Sequence, residues 1–202
     1  LVMTLCCTPG VAGGQGEGGP WGKINERDGI VAYARTNPLI PVKQCRYEGV
    51  IDASAENVER MLRDWNSYRK ILFMSKKVGP AHFPGCKPTA DTYCVYLLQG
   101  APWPVEDRDG YGSLSFYLHQ PTGEILAKVR VEQNDMPLTK GVTRVPFCEM
   151  EWMIKPIDAG HCRVIYQNLL QPGGAVDKLP APVINYVMKY FGIFGFQSIR
   201  KM

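Results

Sequence analysis

Short alternating runs of apolar and polar residues fill most of the chain, and only two stretches carry a helical period. The first runs, Gly29 to Arg35 and Lys43 to Ile51, read as strands, the second bounded by Asn37-Pro38 and Pro41. Ser54 is then a good helix N-cap, and Ala55, Val58, Met61, Leu62 and Trp65 recur at helical spacing with charges opposite them. This pattern predicts one amphipathic helix ending near Tyr68 to Leu72. From Phe73 to Leu170 strand follows strand, with turns at Pro84-Gly85, Pro121-Thr122-Gly123 and Asp158-Ala159-Gly160. Strands are expected at about 73–79, 91–99, 105–119, 124–133, 145–156 and 161–171. No strand leads into a crossover helix, so these six are read as antiparallel and the class as α+β.

Side chains alternate across a strand, so parity tells which of them share a face. Leu114, Phe116 and Leu118 lie on one side of their strand, and Ser113, Ser115 and Tyr117 on the other. In the next-to-last strand Cys148, Met150, Trp152 and Ile154 oppose Glu149, Glu151 and Lys155. In the last, Cys162, Val164, Tyr166, Asn168 and Leu170 oppose Arg163 and Gln167. Each strand therefore has one dry and one wet face. A long curved sheet with one dry face wraps something, and the candidates are the two helices and a ligand.

The second helical stretch, Val183 to Phe196, is apolar almost throughout, with only Asn185 and Lys189 strongly polar. A bilayer span needs about 20 such residues, so this helix must be covered by its own protein or by something the protein holds. A loop at Gln171 to Gly174 and the prolines Pro180 and Pro182 prime its start. A polar line through Asn185, Lys189 and Arg200 is expected to face outward. Gly192 and Gly195 each lower helix stability by roughly 1 kcal/mol relative to alanine, which suits either a yielding lid or a close approach to the sheet.

The 202 residues, 45% hydrophobic and 21% charged, describe one ordinary domain large enough to enclose a cavity; a monomer is expected. The net charge of +4 comes from Lys and Arg scattered singly or in pairs. That distribution argues against a nucleic-acid partner and leaves room for transient contact with an anionic membrane surface. Seven cysteines, an odd number with no Cys-x-x-Cys, argue against a disulfide framework and structural zinc. They read as small buried apolar residues, with a bridge between two of them left unassigned. Residues 1–19 are set outside the fold, as the remnant of an export signal or a disordered tail, and 20–202 form the domain. The thiols lean against an oxidising compartment and the tail towards export, so exported and cytoplasmic locations both stand.

The three histidines, His82, His119 and His161, each fall in or beside a turn. There is no His-Glu-x-x-His, no Gly-x-Ser-x-Gly and no phosphate-cradling loop. No catalytic residue, metal or cofactor is expected. Arg108, by contrast, shares the parity of Leu114 and Phe116, and a guanidinium in an apolar interior must be paired or hydrogen-bonded. It is read either as an internal ion pair or loop cap, or as a polar anchor for a ligand hydroxyl, carbonyl or carboxylate. Asn168 on a dry face needs partners for both ends of its amide. With Tyr96, Phe116, Met150, Trp152, Tyr166, Met188 and Phe191, these two make up the candidate wall of a binding site.

Four pieces resemble the START (steroidogenic-acute-regulatory-related lipid-transfer) domains of the helix-grip superfamily. They are Asp28 to Tyr33; Ala101 to Asp109; Met150-Glu151-Trp152 with Ile154-Lys155-Pro156; and Pro172-Gly173-Gly174 with Leu179-Pro180 and Asn185. The resemblance covers about residues 21 to 202. It implies a curved antiparallel sheet gripping a long C-terminal helix, with a tunnel between them for one lipid or other hydrophobic molecule. It also implies a gate, matched here by Val183 to Arg200 and the Gly100 to Pro104 loop, which adds Trp103 to the candidate residues. Cholesterol-binding members carry an internal acid–base pair whose basic partner matches Leu114, a departure that counts against cholesterol. The superfamily's alternative activity is that of a polyketide cyclase or aromatase, for which Arg108, Tyr96, Tyr166 and Asn168 would be the proton-handling groups.

Overall fold

A computed structural model describes residues 18–201 apart from Leu39, Pro102, Pro104 and Gln133, and apart from the side chains of Pro41, Val187, Met188, Lys189 and Phe191. The expectations for residues 1–17 and for the side chains of Met188 and Phe191 lie outside the described residues. The chain opens with β1 (Gly22–Arg27), β2 (Ile30–Asn37) and β3 (Ile40–Ile51), followed by α1 (Ala55–Arg63) and α2 (Trp65–Ile71). Next come β4 (Ser75–Pro80), β5 (Thr92–Gln99), β6 (Asp107–His119), β7 (Glu124–Glu132), β8 (Val142–Arg144), β9 (Phe147–Pro156) and β10 (Cys162–Gln171). A 3₁₀ turn at Gly174–Lys178 then leads into α3 (Ala181–Ile199).

All ten strands join one sheet in the order β1-β2-β3-β10-β9-β7-β6-β5-β4, with β8 set beside β6. Every pair along that order is antiparallel, and only β8 runs parallel to its neighbour, Arg108 lying opposite Thr143. The last strand is laid between β3 and β9, which joins the N-terminal β1–β3 strands to the rest of the sheet. The parity reading holds there: Trp152, Ile154, Val164, Tyr166 and Asn168 are buried on the concave side. On the convex side Glu151 pairs with Lys128 and Lys155 with Glu124. Leu118 keeps its expected face, since the β6–β7 register is unbroken, but is exposed near the end of β6.

Three differences from the expected elements have local causes. The single amphipathic helix is two, because Asp64 ends α1 and accepts a hydrogen bond from the Asn66 backbone to start α2. The strand β1 was not expected, since Gly-Lys-Ile-Asn-Glu-Arg is an edge strand with no buried residue and so carries no alternating signal. Its hairpin to β2 is closed by Asp28 and Gly29, with φ of 52° and 69°, the left-handed pair that a two-residue turn requires. The strand β8 is three residues long, below what periodicity can register.

The grip of α3 on the sheet is built from rings. Tyr47, Tyr166 and Trp152 stand opposite one another on β3, β10 and β9. They stack with centroids 5.9 and 4.2 Å apart, and Phe196 of α3 lies 6.3 Å beyond Trp152. Over Tyr47 the helix places Gly192, where a Cβ would come within 2.2 Å of the ring. Glycine is therefore required by close approach at this point, the second of the two roles expected for it. Of the expected outward polar line, Lys189 lies outside the described side chains, Asn185 is half-buried and Arg200 is exposed. Asn185 Oδ1 accepts from the Lys43 backbone N–H, and Arg200 donates to the carbonyl oxygens of Val50 and Asp28. These two side chains satisfy backbone groups of β3 and of the β1–β2 turn, while Val183, Tyr186, Tyr190 and Phe194 are exposed apolar residues of the helix.

Candidate functional site

Between the concave face, the end of α2 and α3 the core leaves a cavity of about 100 Å³. Its wall is mostly apolar, with Leu72 and Phe73 at the end of α2, Leu97 on β5, Met150 and Trp152 on β9, and Gly195 on α3. Small-molecule sites commonly measure about 300–1,000 Å³. In its present form the interior admits only a short stretch of chain, and a larger guest requires the wall to move. Phe73 stands edge-on to Phe194 with ring centroids 5.4 Å apart, so this pair joins the α2–β4 loop to α3 across the cavity's border.

Five expected residues, Arg108, Met150, Trp152, Tyr166 and Asn168, border this cavity together. Arg108 is half-buried and donates through Nη1 to the carbonyl oxygen of Glu106. Burial lowers its pKa from the usual arginine value, opposed by the negative charges of Glu106, Asp177 and Asp107. Burial pushes the Tyr166 phenol well above its ordinary range, keeping it neutral, although Asn168 Nδ2 donates to its oxygen at 3.4 Å.

Three other expected residues are not part of the cavity wall. Tyr96 points to the convex face, where its hydroxyl bonds Asp109 at 3.3 Å and burial raises its pKa to about 12. Phe116 is buried on the concave face further along β6, beneath Arg63 of α1, whose guanidinium carbon lies 4.0 Å from the ring centre. Trp103 sits in the β5–β6 loop with 92% of its surface exposed. The four groups of the cyclase reading are therefore not brought together, since Tyr96 and Tyr166 lie on opposite faces of the sheet.

Sequence reasoning missed the most buried ion pair among the described residues. Arg144 of β8 grips Asp109 of β6 through two bonds, Nε–Oδ1 at 2.7 Å and Nη2–Oδ2 at 3.1 Å. Their side chains are 8% and 2% exposed. Arg144 also donates to Asn134 Oδ1 and to the carbonyl oxygens of Met136 and Pro137, and lies over the Tyr111 ring. The position expected for a basic partner, Leu114, is plain buried core. A second feature left unassigned, the bridge, joins Cys86 and Cys94 and pins the β4–β5 loop to β5, while Cys45, Cys148 and Cys162 are buried free thiols. Among the described residues His161 pairs with Asp158 and His119 with Thr122, both exposed and away from the cavity.

No family model matches the chain. An uncharacterised protein of Pseudomonas aeruginosa is 26% identical over 163 residues, covering 77% of this chain and 74% of that protein. The crystal structure of a STAR-related lipid transfer protein from Xanthomonas axonopodis is 28% identical, with a TM-score of 0.76, covering 90% of this chain and 97% of the other. Human StAR-related lipid transfer protein 5, at 14% identity, shares the fold with a TM-score of 0.77 over 90% of this chain and 85% of its own. The ten-stranded curved sheet and the helix it grips give the chain the START-domain fold, and it is similar in sequence as well as fold to the bacterial STAR-related protein.

Proposed function

We propose that this domain is a non-enzymatic carrier or sensor that holds a single lipid or other hydrophobic small molecule between its sheet and α3. The observation that carries the reading is the apolar cavity against Trp152, Met150 and Gly195, lying at the sheet–helix junction. The likeness to a bacterial STAR-related lipid transfer protein supports it. Affinity derives mainly from apolar burial, at about 25 cal/mol per Å² before ordering costs. A cavity of about 100 Å³ is smaller than common small-molecule sites, so holding a whole lipid requires α3, or the loop carrying Phe73, to shift on a microsecond or slower scale. Trp103, Phe73, Met74 and Phe194 are exposed apolar residues at this side of the fold, and together with Arg69 and Lys70 they suit brief contact with an anionic bilayer. Organic extraction of the purified protein tests the reading: a lipid recovered at close to one molecule per chain supports it. An empty protein that also fails to bind apolar probes with saturation refutes it.

A further inference from the structure

Two charged residues border the cavity, Arg108 and Asp109. Asp109 turns its carboxylate to the convex side, into its two bonds with Arg144. Arg108, one position earlier on β6, takes the opposite face, that of Leu114 and Phe116. Its guanidinium carries five N–H donors, and among the described residues only Nη1 is engaged, by the carbonyl oxygen of Glu106. The three carboxylates whose charge it feels are committed elsewhere. Asp107 pairs with Lys76, Glu106 accepts from the Thr143 hydroxyl, and Asp177 accepts from the Gly173 backbone and from Gln171. Its partners across the sheet, Gln99 and Thr143, are uncharged. Burial lowers the pKa of Arg108 even against those three negative charges, so a backbone cap does not compensate the charge. The side chain is only partly covered, which leaves its idle donors open to a guest beside an otherwise apolar wall.

We propose that Arg108 makes this site selective for carboxylate-headed amphiphiles, the guanidinium donating to the carboxylate oxygens while the hydrocarbon lies against Leu97, Met150 and Trp152. A long-chain fatty acid is the simplest member of the class. This inference rests on the reading of the cavity as a lipid site. The planar fork of a guanidinium matches the two oxygens of a carboxylate, and the pair is stronger than one between neutral groups. A methyl ester of the same chain keeps a carbonyl acceptor but brings no charge, so it leaves Arg108 unpaired.

The test compares dodecanoate with methyl dodecanoate on the delipidated full chain at pH 8, both as competitors of the uncharged fluorescent probe N-phenyl-1-naphthylamine. The acid should compete about 5- to 20-fold more tightly, the ratio expected for a hydrogen-bonded charge pair at a partly covered site. Arg108→Gln should bring the two within about twofold of each other. An ester that competes as well as the acid on the unaltered protein, or better, overturns the inference and leaves the lipid-site reading standing. A preference for the acid that survives in a folded Arg108→Gln protein also overturns it, by assigning the selectivity to another group. Failure of both to displace the probe removes the lipid-site reading and this inference with it. Because the acid–ester comparison uses the natural sequence, it can refute the inference even when the glutamine variant does not fold.

Discussion

Gly192→Ala is expected to destabilise the protein, although alanine favours a helix over glycine by about 1 kcal/mol. A Cβ at this position would lie 2.2, 2.3 and 2.4 Å from three carbons of the Tyr47 ring. Carbon atoms rest at about 3.5–4.0 Å, so α3 must retreat by more than an ångström or the ring must leave its place. Tyr47 has no freedom to do so, being fully buried and stacked on Tyr166. Overpacking of this kind costs about 1–3 kcal/mol, and subtracting the helix gain leaves a net loss of up to about 2 kcal/mol. For a domain of this length that corresponds to a Tm lower by up to about 8 °C, measured by circular dichroism during heating. Gly195→Ala is the control. Its nearest neighbour would be the Ile71 carbonyl oxygen at 3.3 Å, and its effect should stay within about 1 kcal/mol. A Gly192→Ala protein as stable as the natural one would refute the close-packed anchoring of α3.

Asp109→Ala should lower stability by about 3–5 kcal/mol in urea unfolding, because it strands the buried Arg144 guanidinium; a loss under 1 kcal/mol would show the pair to be dispensable. Burial pushes the Cys148 thiol up to about 12 and the Cys162 thiol up to about 11. Both should resist iodoacetamide at pH 8 in the folded chain, as read by peptide mapping. Between about pH 9 and 12 the unfolded chain releases protons that the folded chain retains, so stability should fall as pH rises through that window. Trp103→Ser should leave Tm nearly unchanged, since the ring is exposed, yet weaken binding to anionic vesicles in a sedimentation assay. Unaltered vesicle binding would remove this loop from the proposed membrane contact.

The sequence made the sheet's faces legible wherever a strand is dry on one side. In β9 and β10 the alternation placed Trp152, Tyr166 and Asn168 on the concave face, where they are buried. The N-cap was equally plain, Ser54 Oγ accepting from the Asn57 backbone. What alternation cannot carry is position along a face. Phe116 shares the concave side with the cavity but lies at its other end, under Arg63. Nor does it report partners brought together by register: Asp109 and Arg144 meet only because β8 runs beside β6, 35 residues away in sequence. Nor does the helical pattern show that Asn185 and Arg200 of α3 serve backbone groups of β3 and the β1–β2 turn. One local signal was present and unused, the Asp28-Gly29 pair that closes the first hairpin.

Leu97 faces the cavity from β5, so Leu97→Trp should fill the space that a ligand needs. Native mass spectrometry of this variant beside the natural protein, each mixed with a slight excess of fatty-acid probe, tests the central claim most directly. The natural chain should carry one probe molecule and the tryptophan variant close to none, with Tm unchanged or raised. Equal loading of both, with the variant folded, would place the lipid elsewhere and contradict the account.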